Sequence, residues 1–458
     1  MIRHNVLHCF FWTKAVLAMA MALFCLFWFC WRIYDLHTRA TPAFFDGLQP
    51  IVITNPDGTT SKDCAYNSAS PYGRLEPQVA GQSIGFSLDW SYDTPKRVVD
   101  LLNGFRPTVY NAYMDFGPLL VNYYDQSMLN WYGSEAGRVG AMLELTVQIA
   151  GPNAVRVLTD EHFDALSKGV AAVNSAYGVP VLLRFGHEMN GPWSTYGFDP
   201  TGYIPCFQAM TNSLRRHTNM TAMVWAPNVG FGYPFGTSGG ITLPSNGSAN
   251  FLAMDTNRDG VITSQDDPYG PYWPGAEYVD WVGISLYYYP PDEFKNHAMP
   301  EGYFDAYLTG TGYNQDGTDA WKTNYNFYKR YASPDGFNKA MMLPETGSPY
   351  LYTNLPGDTP GPSASLAGDA LAQTASQLHE EWYSSILKNT TVLQKYPKLK
   401  IIVQFEEQKL LANFWRDWRV LNNTESRTSF VNGLKTWGSD LKQSSAFVYS
   451  CNGDVKLA

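Results

Sequence analysis

Eight short apolar runs, bounded by turn-forming residues and separated by stretches of helical spacing, restrict this chain more than any other feature. They read SIGFSLDW (83–90), PTVYNAYMDF (107–116), AMLELTVQI (141–149), PVLLRFGHE (180–188), TAMVWAPN (221–228), YVDWVGISLYYY (278–289), KAMMLPETG (339–347) and LKIIVQFEE (399–407). Near-continuous apolar strands belong to sheets buried on both faces. Between them, Phe163, Leu166, Val170 and Val173 keep the three-and-four spacing of one helical stripe. Leu371, Ala375, Leu378, Trp382 and Ile386 do the same, as do Phe430, Leu434, Trp437 and Leu441. Buried strands alternating with amphipathic helices predict a parallel α/β sheet, and eight of them predict closure into a (β/α)8 TIM barrel. An open doubly wound sheet is the alternative, but no GxGxxG follows the first run and there is no P-loop.

A barrel places its chemistry where strands end. The fourth run ends in His187, Glu188 and Asn190, with Trp193 beyond; the seventh ends in Glu345, within LPETG; the sixth carries Tyr287 among three tyrosines. Strands four and seven lie on opposite sides of a barrel mouth, so Glu188 and Glu345 are expected to face each other. Two facing carboxyls are the minimal kit for glycoside hydrolysis, one protonating the leaving oxygen and the other attacking the anomeric carbon. The 15% aromatic content fits, because sugar rings offer C–H faces that pack on indoles and phenols. A structural role, with either glutamate paired to Arg184 or Lys339, is the competing explanation.

From about Ser83 to Leu441 the chain resembles glycoside hydrolase family 26, a retaining family of clan A whose members hydrolyse β-mannans and, in some branches, mixed-linkage β-glucans or xylans. The resemblance rests on YGVPVLLRFGHEMNGPW, MVWAPN, WPGAEYVDWVGISLY, LPETG, QFEEQK and RDWR, in that order. It implies Glu188 as general acid/base and Glu345 as nucleophile. It also implies that His187 and Trp193 contact sugar and that the Tyr287 hydroxyl bonds the nucleophile. Such a hydroxyl would keep Glu345 ionised, while a less solvated Glu188 would hold its proton. Because His187 precedes Glu188 on a strand, the two should point to opposite faces unless the strand end bulges. RFGHEMNG is closer to the mixed-linkage glucanase branch than to the mannanases. At the eighth strand, where the family commonly offers tryptophan, this chain has Gln404 and Phe405.

A second motif lies in a Gly- and aromatic-rich insertion at about 229–275. DTNRDGVITSQD matches a twelve-residue calcium loop, with Asp255, Asn257 and Asp259 at positions one, three and five, Gly260 at six, Ile262 at eight and Asp266 at twelve. The expectation is a structural Ca²⁺ that stiffens the insertion; no cofactor is expected for catalysis. An Asx-turn loop without an ion is the alternative, because position twelve lacks the bidentate Glu.

At the N-terminus, Ala15–Trp31 is a run of ~17 apolar residues, near the minimum for spanning hydrocarbon. Phe27, Trp28, Phe29 and Trp31 precede Arg32 where a cleavable signal would end in small residues, so an uncleaved type II signal anchor is expected. A long signal peptide cut near RATPA, giving a secreted protein, is the alternative. Asn219, Asn246, Asn389 and Asn422 head N-x-S/T tripeptides, in keeping with a lumenal or extracellular body. A Cys64–Cys451 disulfide is one pairing open to it. The expected organisation is an anchor (1–35), a stalk and N-terminal wrap (36–80) and a catalytic domain (81–458). The net charge of -9 argues against nucleic-acid partners. The expected partners are therefore a polysaccharide and, through the anchor, a membrane. A catalytically silent carbohydrate-binding or cell-wall scaffold on the same barrel is the second functional reading.

Overall fold

The computed structural model describes residues 66, 68 and 70–458, apart from 237–240, 291–294, 312–324, 366–367, 389, 412 and 438–440. The apolar run 15–31, Cys64 and Asn389 lie outside these residues. Among the described residues no helix is long and apolar enough to cross a membrane.

All eight expected strands form: β1 (Gln82–Leu88), β2 (Val109–Phe116), β3 (Met142–Ile149), β4 (Val181–Phe185), β5 (Thr221–Trp225), β6 (Trp281–Gly283), β7 (Ala340–Gly347) and β8 (Leu399–Glu406). Each pairs in parallel with the next, as in Val109↔Met142 and Val224↔Trp281. Ser83↔Ile401 then joins β1 to β8, so the sheet closes into a barrel. Every second residue faces inward. Val109, Met142, Leu182, Ala222, Val224, Trp281, Ala340, Met342, Ile401 and Val403 fill the interior as one buried cluster. The alternate residues face the surrounding helices.

Two sequence expectations shift in detail. The stripe on Asp160–Tyr177 is buried as expected, but Leu371 is exposed, because the Thr374 capping box starts its helix at Ala375. Leu441 extends no helix; it pairs with Gln82 beside β1. Near the N-terminal side of β1 the described residues pack on the barrel. Leu75 is fully buried, its N–H bonds Gly453 O at 2.8 Å, and with Phe447 and Val455 it plugs the floor.

The mouth carries an element that apolar spacing did not flag, an antiparallel sheet built from 350–355, 359–363, 408–411 and 414–417. It rises from the ends of β7 and β8. Among the cysteines, Cys206 is a buried free thiol and Cys451 is disulfide-bonded to a partner outside the described residues. Asn246 and Asn422 are exposed, whereas Asn219 is half-buried and its amide oxygen accepts from Arg74 at 2.6 Å.

Candidate active site

β4 stops at Phe185, three residues before its apolar-run limit, because Gly186 (φ 61°) and Glu188 (φ 53°) both adopt left-handed backbone. A side chain at 186 would also collide with Tyr203, whose ring lies 2.8 Å from where a Cβ would stand. Strand alternation therefore no longer governs His187 and Glu188, and both reach the mouth. The left-handed glutamate is a strained conformation for a non-glycine residue. Three contacts hold it: its N–H to Ala226 O (2.8 Å), Asn228 Nδ2 to its Oε1 (3.0 Å), and Gly191 N–H to its carbonyl (3.0 Å). Asn190 fixes Asn228 in turn, exchanging bonds of 2.8 and 2.9 Å with its backbone.

Glu345 enters from β7. Arg184 Nη1 bonds its Oε1, the Tyr287 hydroxyl donates to Oε2 at 2.8 Å, and Tyr113 is a further hydrogen-bond partner. Tyr287 is placed by a break in the sixth strand: β6 ends at Gly283, and Leu286–Tyr287 pairs separately with Thr346 and Gly347. Ser285, between the two, accepts from Arg184 Nη2 at 2.7 Å and is a hydrogen-bond partner of Glu188. The fully buried Arg184 thus binds one carboxyl directly and reaches the other through a hydroxyl. The Arg184 partner that sequence offered as a purely structural explanation is present, and Lys339 instead bonds Ala276 O at 2.7 Å.

The two carboxyls are driven apart electrostatically. Burial pushes Glu345 up, but the Arg184 charge, His187 and the bonds from Arg184 and Tyr113 outweigh it and hold the group at about 2. Burial raises Glu188 above its usual value, the charge of Glu345 adds to that, and Arg184, Ser285 and Asn228 only partly oppose it. His187 is pushed down to about 3 by burial and then by Arg184, so it is neutral at working pH. Its ring meets Tyr113 edge-on at 5.8 Å, and Tyr196 donates to its carbonyl at 2.9 Å.

Trp193 is 42% exposed and packs against Phe235 at 5.1 Å. Four further groups escaped the first reading: Tyr113, Asn228 and Ser285 at strand ends, and Trp418. Gln404 turns away from the mouth to bond Trp418 O (2.6 Å), and Trp418 follows the hairpin back, its ring 5.4 Å from Phe405 and 5.9 Å from Tyr287. A buried indole therefore backs Phe405 and Tyr287 on the eighth-strand side, although the strand itself offers none. Tyr113 also lines a neighbouring cavity of about 580 Å³ with Asp115, Leu120, Val121, Asp125 and Met128.

The twelve-residue loop follows a short helix in the β5–β6 connection. Asp255 accepts from Asp259 N (3.1 Å) and Gly260 N (3.0 Å). Asp266 accepts from Thr256 N (2.7 Å), Asn257 N (3.2 Å) and Thr263 N (2.8 Å). Asn257 and Asp259 are exposed and bond each other at 3.0 Å, while Ile262 is buried and tethers the loop. Among the described residues, no three His, Cys, Asp or Glu side chains converge as a metal site.

No protein-family model matches the chain, and no curated sequence does. It is similar to a Bacillus subtilis mannanase, BCman, at 15% identity and TM-score 0.39, over 88% of this chain and 97% of that one. A Cellulomonas fimi endo-β-1,4-mannanase double mutant gives 14% and 0.45, over 82% and 75%. The Thermotoga maritima endoglucanase Cel5A gives 12% and 0.40, over 77% and 96%. Likenesses of this size carry no argument about chemistry, which rests on the side chains above.

Proposed function

We propose that the chain is a retaining glycoside hydrolase of the family 26 type that cleaves a β-linked polysaccharide, a mixed-linkage β-glucan or a β-mannan. The observation that carries this is the opposed environment of two carboxyls at one barrel mouth. Glu188, its proton affinity raised by burial and by its neighbour's charge, gives its proton to the leaving oxygen. Glu345, ionised by Arg184 and oriented by Tyr287, attacks the anomeric carbon and forms a glycosyl ester. Glu188 then takes a proton from water, which opens the ester and returns both groups to their first states. A carboxylate held at about 2 is too weak a base to activate water well, so its environment supports the role of nucleophile and leaving group. Neutral His187 supplies a hydrogen-bonding group and the exposed Trp193 ring a stacking surface for sugar, and the adjoining cavity supplies room for a further unit.

Incubating the full chain with mannan, glucomannan, mixed-linkage β-glucan, laminarin and xylan, and measuring new reducing ends, tests the activity. Proton NMR of the first-formed anomer tests retention; inversion would replace Glu345 as nucleophile by Glu345 as base. Binding to a polymer without reducing-end release would favour the scaffold reading.

The carboxyl environments also predict a bell-shaped profile of kcat/KM. Activity needs Glu345 ionised and Glu188 protonated, so the acid limb falls near about 2 and the alkaline limb above the ordinary glutamate value of 4.5. Glu188→Gln should remove the alkaline limb from whatever activity remains, and an alkaline limb that survives this change would reassign the proton donor.

We propose a structural Ca²⁺ for the 255–266 loop. Three carboxylates and an amide oxygen within twelve residues suit a hard cation, and the Asp255 oxygens, with one backbone bond each, keep a lone pair free for it. Excess calcium should raise the melting temperature by a few degrees, an effect lost in Asp255→Ala/Asp259→Ala, with turnover at saturating substrate unchanged. Equal melting curves in calcium and in chelator would remove the ion. The anchor at 15–31, and with it a membrane-bound lumenal or extracellular location, is likewise a proposal. N-terminal sequencing of protein recovered from membranes separates it from secretion.

A further inference from the structure

Below the mouth, a third glutamate has no role in the steps above. Glu144 lies on β3, fully buried and facing the barrel interior, with Asn111 beside it on β2 and Leu182 on β4. Among the described residues, neither of its carboxyl oxygens has a hydrogen-bond partner. Two residues along β4 from Leu182, Arg184 engages Glu345 and Ser285 through its Nη atoms, but its Nε–H has no partner among the described residues. Buried groups of this kind are almost always satisfied, by protein or by ordered water. Here the two orphans are complementary: one side offers acceptors, the other a donor.

The charged groups that act on Glu144 are Arg184, from β4, and Glu345, from β7. Its β2 neighbour Asn111 is neutral and already bonded, to Ser87 (3.1 Å) and Thr146 (2.7 Å). The single guanidinium is committed to Glu345, and a second unpaired carboxylate in this interior would be far costlier than a carboxylic acid. Burial accordingly drives Glu144 well above the carboxylate range, Glu345 adding to the effect and Arg184 opposing it.

We infer that Glu144 is a positioning residue that stands as an uncharged acid and, through a bridging water, accepts from Arg184 Nε–H, locking the guanidinium in the orientation that pairs with Glu345. The acid does not compete with Glu345 as a second anion for Arg184, and it fixes the guanidinium through Nε–H. The consequence for turnover rests on the glycosidase reading; the protonation state does not.

Infrared difference spectra of wild type against Glu144→Gln test the charge directly. A protonated carboxylic C=O band at neutral pH is expected, and a carboxylate band would overturn the inference whether or not any glycan is cleaved. Kinetics test the positioning. Glu144→Gln keeps neutrality and an acceptor oxygen, so kcat and the acid limb should stay as in wild type. Glu144→Met removes the acceptor, and kcat should fall ~10-fold with KM steady, as for loss of an outer-shell partner. Displacement of the acid limb in Glu144→Gln, or wild-type kcat in folded Glu144→Met, would each reject the positioning role. If wild type cleaves none of the polymers, the proposed function fails while the infrared band still decides the charge of Glu144.

Discussion

Replacing Glu345 with alanine is expected to lower kcat/KM by about 10⁴-fold or more, with the barrel still folded. No other described carboxylate shares its position: it alone touches Arg184, Tyr287 and Tyr113 at once. Glu188→Ala should be as damaging on a polysaccharide, whose alkoxide leaving group needs a proton, by about 10²- to 10⁴-fold. On an aryl glycoside with an acidic phenol the first step needs little proton donation, so the glycosyl ester should form and then accumulate for want of a base. Azide, which needs no base, should restore turnover in Glu188→Ala and yield a glycosyl azide of retained configuration. The same anion added to Glu345→Ala should yield the inverted azide. Either alanine variant cleaving polymer at the wild-type rate would end the assignment of both roles. Azide products of the opposite configurations would exchange them.

The barrel was legible because closure depends on a count and a period, and both are local properties. Each apolar run is a strand because it can be buried on both faces, and its ends are marked by glycine, proline or a polar cluster. The expectation that Glu188 and Glu345 face each other came from strand number alone. What local patterns could not set was side-chain direction at a strand end. Placing His187 and Glu188 together required β4 to stop at Phe185, and that depends on two left-handed residues, one of them a glutamate that tertiary bonds hold in place. Trp418 shows the same limit at longer range. Its approach to Tyr287 depends on how the 408–417 hairpin folds back, although Asn413, a turn former between QKLL and FWRD, was there to be read. Tyr113, Asn228 and Ser285 had a usable signal, since each lies at the downstream end of an expected strand, where a barrel collects its chemistry.

Arg184 was the residue weighed as a reason to doubt the site, and its substitution is expected to have the largest effect on stability. Arg184→Met leaves Glu345 buried with hydroxyl partners only, and losing one member of a buried pair costs about 3–5 kcal/mol. The loss should be recoverable: Arg184→Met/Glu345→Met removes both charges and should melt much closer to wild type, because the penalty lies in the orphan and not in the absence of the pair. Its pH dependence has a definite sign. In wild type the carboxyl of Glu345 is held at about 2 against an ordinary 4.5, so it contributes stability that is full above 4.5 and is lost as pH falls through about 2. Without Arg184 the burial that pushes this group up meets far less opposition, and that contribution disappears. The gap in melting temperature between wild type and Arg184→Met should therefore be widest near neutrality and close on acidification below 4.5. Over the same range the acid limb of kcat/KM in the variant should move to higher pH. A gap that held constant across this range would mean that Arg184 stabilises the barrel by packing, and that Glu345 draws its low proton affinity from elsewhere.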